Sequence, residues 1–237
     1  MTKIFFLVLG LMAAIMPPAA EDVAAAESVE TCSTCAECTT ELASGAFGTV
    51  VLDTDIVDHA GTCIDLSSGE SNVVFDCNGH LIDGDELALE SVRGVTLMHG
   101  SGVTIRNCAI SDFDSGVFLV DSSGIEITAN QIASNRIGID LSHADSNLVD
   151  GNTVRGNSTG IKISDSDNNT FSDNLVCDNF PWDFYFASGT GNVGIDNTCD
   201  STSYWNDVGT TGCTFSCVVF QCGFESGNLG DWSSVIE

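Results

Sequence analysis

The residues best suited to bind a ligand recur at a regular interval along the middle of the chain. Phe118, Asp140 and Lys162 follow one another with a constant numbering step of 22, and Tyr185 follows after a step of 23. Aromatic rings pack against the apolar faces of sugars, and carboxylate and ammonium groups hydrogen-bond hydroxyls. These four residues are therefore candidate carbohydrate-binding residues if the fold aligns them. An ordinary exposed sheet face, with cross-strand pairs such as Asp140–Lys162, is the alternative interpretation.

A set of carboxylates follows the same interval a few residues downstream. Asp145 and Asp167 are separated by one such step, and Asp165 precedes Asp167 by two positions. Ca²⁺ binds about six to eight oxygen ligands, among them carboxylates and carbonyls. The three aspartates are therefore candidate metal ligands, with Ca²⁺ as the candidate cofactor. Solvated turn aspartates that hydrogen-bond their own backbone are the alternative.

A glycine opens each of the short segments that must position these side chains. Gly94, Gly116, Gly138 and Gly160 follow one another with the same constant step, which we call the period. Each begins an alternating run, in which successive side chains face a core and the surface in turn. A unit of this length is too short for a helix-bearing repeat and holds about three short strands and three turns. The sequence predicts an all-β solenoid of about six such coils, stacked about 4.8 Å apart.

The apolar spacing extends this repeat in both directions. We call each alternating run of this set a rung. Ile64-Asp65-Leu66 predicts an earlier rung, and Phe184-Tyr185-Phe186 predicts a later one that is displaced by one residue. The step from Leu66 to Leu97 exceeds the period by nine, which predicts a protruding loop around residues 79–93. The outward positions of the rungs form one predicted column: Asp65, Thr96, Phe118, Asp140, Lys162 and Tyr185.

Asparagine recurs with the same period. The two columns are Asn130, Asn152 and Asn174, and Asn135, Asn157 and Asn179. An asparagine amide can hydrogen-bond the identical amide on the next coil, and asparagine also tolerates the left-handed conformation of a sharp corner. The columns therefore predict structural ladders without a catalytic role. A β-sandwich, the alternative fold, would not produce a constant period over four units.

The motifs of this repeat resemble those of a known family. The stretch Asn72-Val-Val-Phe-Asp-Cys-Asn-Gly-His-Leu-Ile-Asp-Gly84, the Gly-Ile-x-Ile units and Asn168-Asn-Thr-Phe-Ser-Asp-Asn174 resemble the right-handed parallel β-helix proteins of the pectate-lyase-like superfold. The chain is most similar to the NosD-like, carbohydrate-binding and sugar-hydrolase type over residues 45–200. The resemblance implies a single-stranded, right-handed parallel β-helix, in agreement with the crossover rule. Function is implied less narrowly, because the superfold includes lyases, hydrolases, epimerases, binding modules and structural proteins.

Charge and the N-terminal segment indicate the compartment. The chain has 34 acidic and six basic residues, for a net charge of −28, which excludes binding to nucleic acid through a basic surface. Lys3 precedes an apolar run from Ile4 to Met16, the layout of a secretory signal that is too short to span a membrane. Residues 1–20 are therefore predicted to be a signal peptide. Nothing after its removal is long and apolar enough to span a membrane.

Eleven cysteines fit an exported protein, because disulfides persist in oxidising compartments. The period places Cys77 beside Cys108 and Cys177 beside Cys199 on adjacent coils, at a spacing that a disulfide accepts. Both pairs are predicted disulfides, with small buried ladder residues as the alternative.

The remaining cysteines cluster towards the two ends. The run Cys32, Cys35 and Cys38 fits a metal or iron–sulfur site, but a disulfide-stapled cap over the first coil is favoured. Cys213, Cys217 and Cys222 can staple the other end, and the pairing of these residues and of Cys63 is left open. The predicted units are residues 1–20 (signal peptide), 21–45 (Cys-rich cap), 46–200 (β-helix) and 201–237 (Cys-containing cap and tail).

These features favour a secreted module, extracellular or on the cell surface, that binds extracellular polysaccharide or a cell-surface glycan along one sheet face without catalysis. The composite motifs of polygalacturonases and alginate epimerases are absent from the sequence, which carries no nucleic-acid-binding signal either. A polysaccharide lyase, hydrolase or epimerase and a structural adhesion or envelope protein are the alternatives.

Overall fold

The chain winds as a right-handed parallel β-helix, as the repeat and the resemblance predict. The computed structural model describes residues 28–85 and 91–217. The solenoid has about eight turns, more than predicted, because strands of the sheets begin before residue 46 and continue beyond residue 200. The predicted signal peptide and Cys222 lie outside the described residues. Within the described ranges, no helix combines the length and the apolar character needed to cross a membrane.

The strands are short, and one helix stands among the described residues. In chain order the elements are β1 (Val29–Cys32), α1 (Cys35–Ser44), β2 (Thr49–Leu52), β3 (Ile56–His59), β4 (Ile64–Leu66), β5 (Val74–Asp76), β6 (Leu81–Gly84), β7 (Arg93–Met98), β8 (Thr104–Arg106), β9 (Ala109–Ser111), β10 (Ser115–Val120), β11 (Glu126–Thr128), β12 (Gln131–Ala133), β13 (Ile137–Ser142), β14 (Leu148–Asp150), β15 (Thr153–Arg155), β16 (Thr159–Ser164), β17 (Thr170–Ser172), β18 (Leu175–Cys177), β19 (Trp182–Phe186), β20 (Val193–Ile195) and β21 (Thr202–Ser203).

Three parallel sheets form the walls of the solenoid. Sheet 1 has the order β1-β2-β5-β8-β11-β14-β17-β20, sheet 2 the order β3-β6-β9-β12-β15-β18, and sheet 3 the order β4-β7-β10-β13-β16-β19-β21. Each strand pairs with strands one coil before and after it, so that Val117 lies beside Ile139 and Ile139 beside Ile161. The predicted rungs at residues 64–66 and 184–186 are confirmed as parts of sheet 3.

The predicted loop around residues 79–93 is shorter than expected. Its first part forms β6, a regular strand of sheet 2 that pairs with β3 and β9. Most of the residues in excess of the period lie between β6 and β7, because Ile82 pairs with Ile110 at a step of 28, six above the period.

The core consists of the inward positions of the three sheets. Val117, Ile139 and Ile161 are completely buried in one column of sheet 3, and Phe184 continues that column. Burying such a side chain contributes about 1.5–3 kcal/mol. Near the C-terminal end the Phe184 ring stacks on Trp205 with the ring centroids 5.0 Å apart. The apolar side chains thus fill the inside, and most of the described acidic residues lie in turns and at outward positions, with Asp183 and Asp207 as buried exceptions.

Asparagine ladders line the inside of the coil corners. Asn130 Nδ2 donates to Asn152 Oδ1 at 3.0 Å, and Asn152 Nδ2 donates to Asn174 Oδ1 at 3.0 Å. The same contacts join a second predicted column and a third that the sequence reasoning missed: Asn135–Asn157–Asn179 and Asn147–Asn169–Asn192. Asn174 Nδ2 donates to Asn197 Oδ1 at 2.9 Å, which extends the first ladder by one coil. Two ladders end on buried carboxylates, since Asn179 Nδ2 donates to Asp183 and Asn197 Nδ2 donates to Asp207, both at 2.9 Å.

The residues with a left-handed backbone directly precede the ladder asparagines. The prediction that asparagine is placed there because it tolerates a left-handed backbone is therefore wrong. Ala129 has a φ of +54°, Gly151 of +63° and Asp173 of +52°, while the ladder asparagines that follow them are not among the positive-φ residues. Hydrogen bonding across coils, and not tolerance of a left-handed backbone, therefore accounts for asparagine at these positions.

Five disulfides join the described cysteines. The predicted Cys77–Cys108 bridge is formed, with the Cα atoms 4.7 Å apart. The predicted Cys177–Cys199 bridge is wrong: Cys177 pairs with Cys217 and Cys199 with Cys213. The reason is a one-residue shift in register, because Leu175 lies beside Thr198, one position beyond the period. That shift moves Cys199 out of the column of Cys177.

Disulfides also stabilise the N-terminal end, as the sequence predicted in preference to a metal or iron–sulfur site. Cys32 pairs with Cys38, and Cys35 on α1 pairs with Cys63 on the first coil. Thr34 caps α1 by accepting from Glu37 N, and Gly45 ends the helix in a left-handed conformation with a φ of +61°. The segment predicted as a cap also contributes β1 to sheet 1, in register with β2.

Candidate functional site

Sheet 3 presents the predicted outward column on one face. The pairing of its strands places in sequence Asp65, Thr96, Phe118, Asp140, Lys162 and Tyr185. The alignment predicted for the column is therefore confirmed. Thr96 and Asp140 are buried, with 4% and 5% of their surface exposed, while Phe118, Lys162 and Tyr185 are half-buried.

A glycine before each rung allows the coils to approach closely at the start of sheet 3. A Cβ atom at Gly138 would lie 2.5 Å from Val154 Cγ1 and 2.6 Å from the carbonyl oxygen of Gly160. Any larger residue would push β13 away from its neighbours, since real Cβ atoms do not approach so closely. The glycine period therefore fixes the register that aligns the outward column.

Asp140 is the most deeply buried charged residue of this column. Lys162 Nζ lies 3.2 Å from its Oδ1 and donates a hydrogen bond to its Oδ2 at 3.3 Å. Burial raises the pKa of the Asp140 carboxyl above its ordinary value of 3.8, and the charge of Lys162 opposes that rise. The Oδ1 atom is buried and accepts no hydrogen bond from the described residues.

The pKa of Asp140 should be measurable as elevated and should rise further in Lys162→Met, because the opposing cation is removed. Since the folded value lies above the unfolded one, the contribution of Asp140 to stability is present at low pH and is lost as pH rises through the folded pKa. A carbon-13 NMR titration of the carboxyl would check this, with Arg155→Met as a control that leaves the value unchanged. An Asp140 pKa at or below 3.8 would contradict it.

Arg93 covers the ring of Phe118. Its guanidinium carbon lies 4.0 Å from the ring centroid, within the range of a cation–π contact. One terminal nitrogen donates to Ser91 O at 3.3 Å, but the buried Nε has no acceptor among the described residues. One face of Phe118 is therefore closed to a sugar ring in this arrangement, and Tyr185 is the second half-buried aromatic of the column.

A second ion pair lies close to the first. Arg136 donates to Asp114, in one bond at 3.1 Å from its terminal nitrogen, and this contact lowers the pKa of Asp114. The charges of Arg93 and Arg136 also oppose the rise in the pKa of Asp140. The Arg93–Phe118 contact and the ion pairs Arg136–Asp114 and Lys162–Asp140 thus lie on or directly beside the neighbouring strands β7, β10, β13 and β16.

Three buried polar atoms on this face accept or donate no hydrogen bond among the described residues. Arg93 Nε, Thr96 Oγ1 and Asp140 Oδ1 are the buried side-chain atoms without one in the part of the chain that the structure describes. Leaving a buried polar group unpaired costs about 1–3 kcal/mol. We refer to the residues Arg93, Thr96, Phe118, Asp140, Lys162 and Tyr185 as the sheet-3 face.

Sequence reasoning missed the two arginines of this region. Arg93 lies directly before Gly94, outside the alternating run from which the column was read. Arg136 follows Asp114 by one period, the same spacing that joins Asp140 to Lys162. A search for opposite charges one period apart would have found that pair.

The three candidate calcium ligands do not form one cluster. No group of ligand atoms within 4.8 Å of one another includes Asp145, Asp165 and Asp167, within the described ranges. Each carboxylate instead accepts a hydrogen bond from the next coil: Asp145 from Asp167 N at 2.7 Å, Asp165 from Ser188 Oγ at 2.7 Å and Asp167 from Thr190 N at 2.6 Å. Calcium binding by this set stays a prediction, and the geometry favours turn stabilisation.

One other group of potential metal ligands is gathered in the described residues. Donor atoms of Cys35, His59 and Cys63 lie within 4.8 Å of one another. Both sulfurs are joined in the Cys35–Cys63 disulfide, and His59 Nε2 lies 3.3 Å from Thr62 O. A thiolate ligand is therefore not offered here while the bridge is intact.

The chain was compared with family models, curated proteins and solved structures. A family model described as periplasmic copper-binding protein (NosD) matches residues 50–228. The solved structure of an alginate lyase from Paenibacillus sp. str. FPU-7 superposes with a TM-score of 0.56 and 12% sequence identity, and the match covers 73% of this chain and 66% of the lyase, just under two thirds of its length. At that identity the likeness shows the fold alone. No curated protein matches the chain.

Proposed function

Because the chain belongs to the family of the periplasmic copper-binding protein NosD, we propose that it acts outside the cytoplasm, as a secreted or cell-surface β-helix module that binds polysaccharide along the sheet-3 face without catalysing a reaction. Five disulfides among the described residues support the oxidising compartment.

Copper is implied by the name of the family, but the described residues do not fit a resident copper ion. Copper sites in proteins use thiolate, thioether and imidazole ligands. All ten described cysteines are in disulfides, and the one gathered donor set keeps only the imidazole of His59. We therefore assign the sheet-3 face, and not a copper centre, as the functional site.

The observation that carries the proposal is the concentration on this face of buried polar atoms that form no hydrogen bond with the described residues, although Asp140 Oδ1 lies 3.2 Å from Lys162 Nζ. A ligand rich in hydroxyl groups could donate to Asp140 Oδ1 and pair with Thr96 Oγ1, which would recover much of the cost of their burial. Half-buried Tyr185 adds an apolar ring beside them. Binding requires Lys162 and Arg93, both partly exposed, to rotate and open access to these atoms.

The absence of catalysis is supported by how the carboxylates are used. Glycosidases need a pair of carboxyl groups on either side of the scissile bond. Asp114 is engaged by Arg136 and Asp140 by Lys162, so neither is free to act as a nucleophile or base. Turnover of acidic or neutral polysaccharides by the protein would contradict this part of the proposal and favour a lyase, hydrolase or epimerase.

Asp140→Asn and Tyr185→Ala should each weaken polysaccharide binding by at least about tenfold, or about 1.4 kcal/mol. The first loses a buried acceptor and the second an aromatic contact. Affinity electrophoresis against a panel of acidic and neutral polysaccharides would measure the change. Phe215→Ala is the matched control, since Phe215 is 55% exposed and continues the line of Leu175 and Thr198 on the side of sheet 2.

Two results would argue against the site. Undiminished binding in both Asp140→Asn and Tyr185→Ala would place glycan recognition elsewhere. Absence of binding to every polysaccharide, together with a cell-surface location, would favour the structural adhesion or envelope role.

A further inference from the structure

One of the five disulfides has a histidine ring beside it. The Cys35–Cys63 bridge joins α1 to the first coil, and a ring nitrogen of His59 lies within 4.8 Å of both sulfur atoms. The two cysteines are buried, with 5% and 4% of their surface exposed, while His59 is half-buried. In the part of the chain that the structure describes, no other disulfide belongs to such a group of three donors. This bridge therefore differs from the other four in having a third metal ligand within reach.

Opening the bridge would turn its two sulfurs into metal ligands. A dithiol opens it by thiol–disulfide exchange: the dithiol is oxidised to its own disulfide, and its two electrons and two protons convert the bridge to the thiols of Cys35 and Cys63. Zn²⁺ then binds both as thiolates and releases the two protons. Two thiolates and one imidazole, with water in the fourth position, form a tetrahedral zinc site. Neighbouring donor atoms then lie about 3.6–3.8 Å apart, less than the 4.8 Å within which the three are already gathered.

Contacts other than the bridge hold the two cysteines near each other. The Thr39 hydroxyl on α1 donates to Cys63 O at 3.4 Å and accepts from Asp65 N at 3.2 Å. Cys63 N donates to Arg93 O at 3.0 Å on the next coil, and Leu42 anchors α1 with 1% of its surface exposed. The helix and the segment around Cys63 therefore stay together when the bridge is open.

The surroundings of His59 suit a metal ligand. His59 is the last residue of β3 and pairs with Gly84 of β6. Its Nε2 lies 3.3 Å from Thr62 O. In the tautomer that donates there, Nδ1 carries the lone pair that a metal binds, and a backbone carbonyl on the other ring nitrogen is the usual way to orient such a histidine. Cys35 is the first residue of α1, where the helix dipole stabilises a thiolate.

We propose that Cys35, His59 and Cys63 form a redox-gated Zn²⁺ site, which the disulfide closes in the oxidised protein and which opens when a dithiol reduces that bridge. The ion then replaces the disulfide as the link between α1 and the first coil. The net charge of −28 favours the approach of a cation. The site lies at the N-terminal end of the solenoid and does not depend on polysaccharide binding by the sheet-3 face.

The test measures how Zn²⁺ shifts the reduction of each bridge. The protein is equilibrated in a dithiol redox buffer with and without a fixed free concentration of Zn²⁺, and the thiols are then alkylated and mapped by mass spectrometry. Zn²⁺ at about ten times its Kd should favour reduction of Cys35–Cys63 about tenfold, because it binds only the reduced form. The other four bridges should not respond. His59→Ala should diminish the shift, and the matched control His80→Ala should keep it, since His80 pairs with Asp55 outside the cluster.

Four results would overturn the inference. A Cys35–Cys63 equilibrium that Zn²⁺ leaves unchanged would show that the reduced thiols bind no ion. An equal shift at all five bridges would show binding to the thiols of unfolded chains. Loss of the β-sheet circular dichroism signal when this bridge opens would show that the donors do not stay in place. An undiminished shift in His59→Ala would remove His59 from the ligands, whereas the first three measurements use the wild-type protein and need no variant.

Discussion

Replacing Asn152 by alanine should lower the free energy of unfolding by about 3–5 kcal/mol, because several buried hydrogen bonds are lost at once. Asn152 Oδ1 accepts from the backbone N and the Nδ2 of Asn130, both at 3.0 Å. Its own Nδ2 donates to Ile127 O, Asp150 O and Asn174 Oδ1 at 2.8, 3.2 and 3.0 Å. The side chain sits in the middle of a ladder, so both neighbouring coils lose partners.

Denaturant unfolding followed by circular dichroism would measure the loss. Gln131→Ala is the matched control, since it removes an exposed amide on a neighbouring coil and should change stability by less than about 0.5 kcal/mol. Equal stabilities for Asn152→Ala and Gln131→Ala would mean that water replaces the ladder amide and that the ladder is not a source of stability.

Asp207→Asn should destabilise the last coils by about 3 kcal/mol, although the two side chains have nearly the same shape. Asp207 Oδ1 accepts from Asn197 Nδ2 at 2.9 Å and from Trp205 Nε1 at 3.1 Å. Its Oδ2 accepts from Asn197 N, Thr214 N and Thr214 Oγ1 at 2.9, 3.0 and 2.9 Å. An amide nitrogen in place of either oxygen would point a donor at donors in a site that is 2% exposed.

Hydrogen exchange would locate this effect in β20, β21 and the segment that follows them, with smaller changes in the first coils. Asp196→Asn makes the same chemical change at an exposed position with a φ of +54°, which asparagine tolerates. Asp196→Asn should therefore be nearly neutral. Uniform loss of protection along the solenoid in Asp207→Asn would show that the coils unfold as one unit.

The period of the solenoid is predictable from the sequence because each coil repeats the same steric demand. Gly138 must be glycine for contact with the neighbouring coils, and Asn152 must offer both a donor and an acceptor. Such requirements recur in the sequence once in every coil, so they can be recognised without knowing which distant residues are in contact. Sheet register, core and two of the ladders follow from them.

Prediction failed where the repeat is interrupted. The Cys177–Cys199 pairing assumed one unbroken period, but Leu175 lies beside Thr198, and one extra residue moves every later side chain to a different position. The step from Asn174 to Asn197, which exceeds the period by one, already contained this shift. The pairing of Cys177 with Cys217 depends on a segment outside the repeat, which no period describes.

The candidate site was only partly predictable for a similar reason. The column from Thr96 to Tyr185 follows from alternation within the rungs, but the side chain of Arg93 reaches it from outside the alternating run. Burial of Asp140, and hence its raised pKa, depends on neighbours that no single rung reveals. Alternation within a strand therefore predicts which residues align across the sheet. Contacts that a long side chain makes with a neighbouring strand are visible only in the structure.

The carboxylates at the ends of two ladders also determine where a β-helix of this kind can be lengthened by duplication of a coil. Each ladder asparagine accepts from the coil before it and donates to the coil after it, so a further unit of one period could be inserted by duplication without breaking the chain of bonds. Asp183 and Asp207 accept from Asn179 and Asn197, but a carboxylate has no N–H with which to continue the series. An oxygen in place of the amide nitrogen thus ends these two ladders, so a coil can be added within a ladder but not beyond Asp183 or Asp207 without breaking its series of bonds.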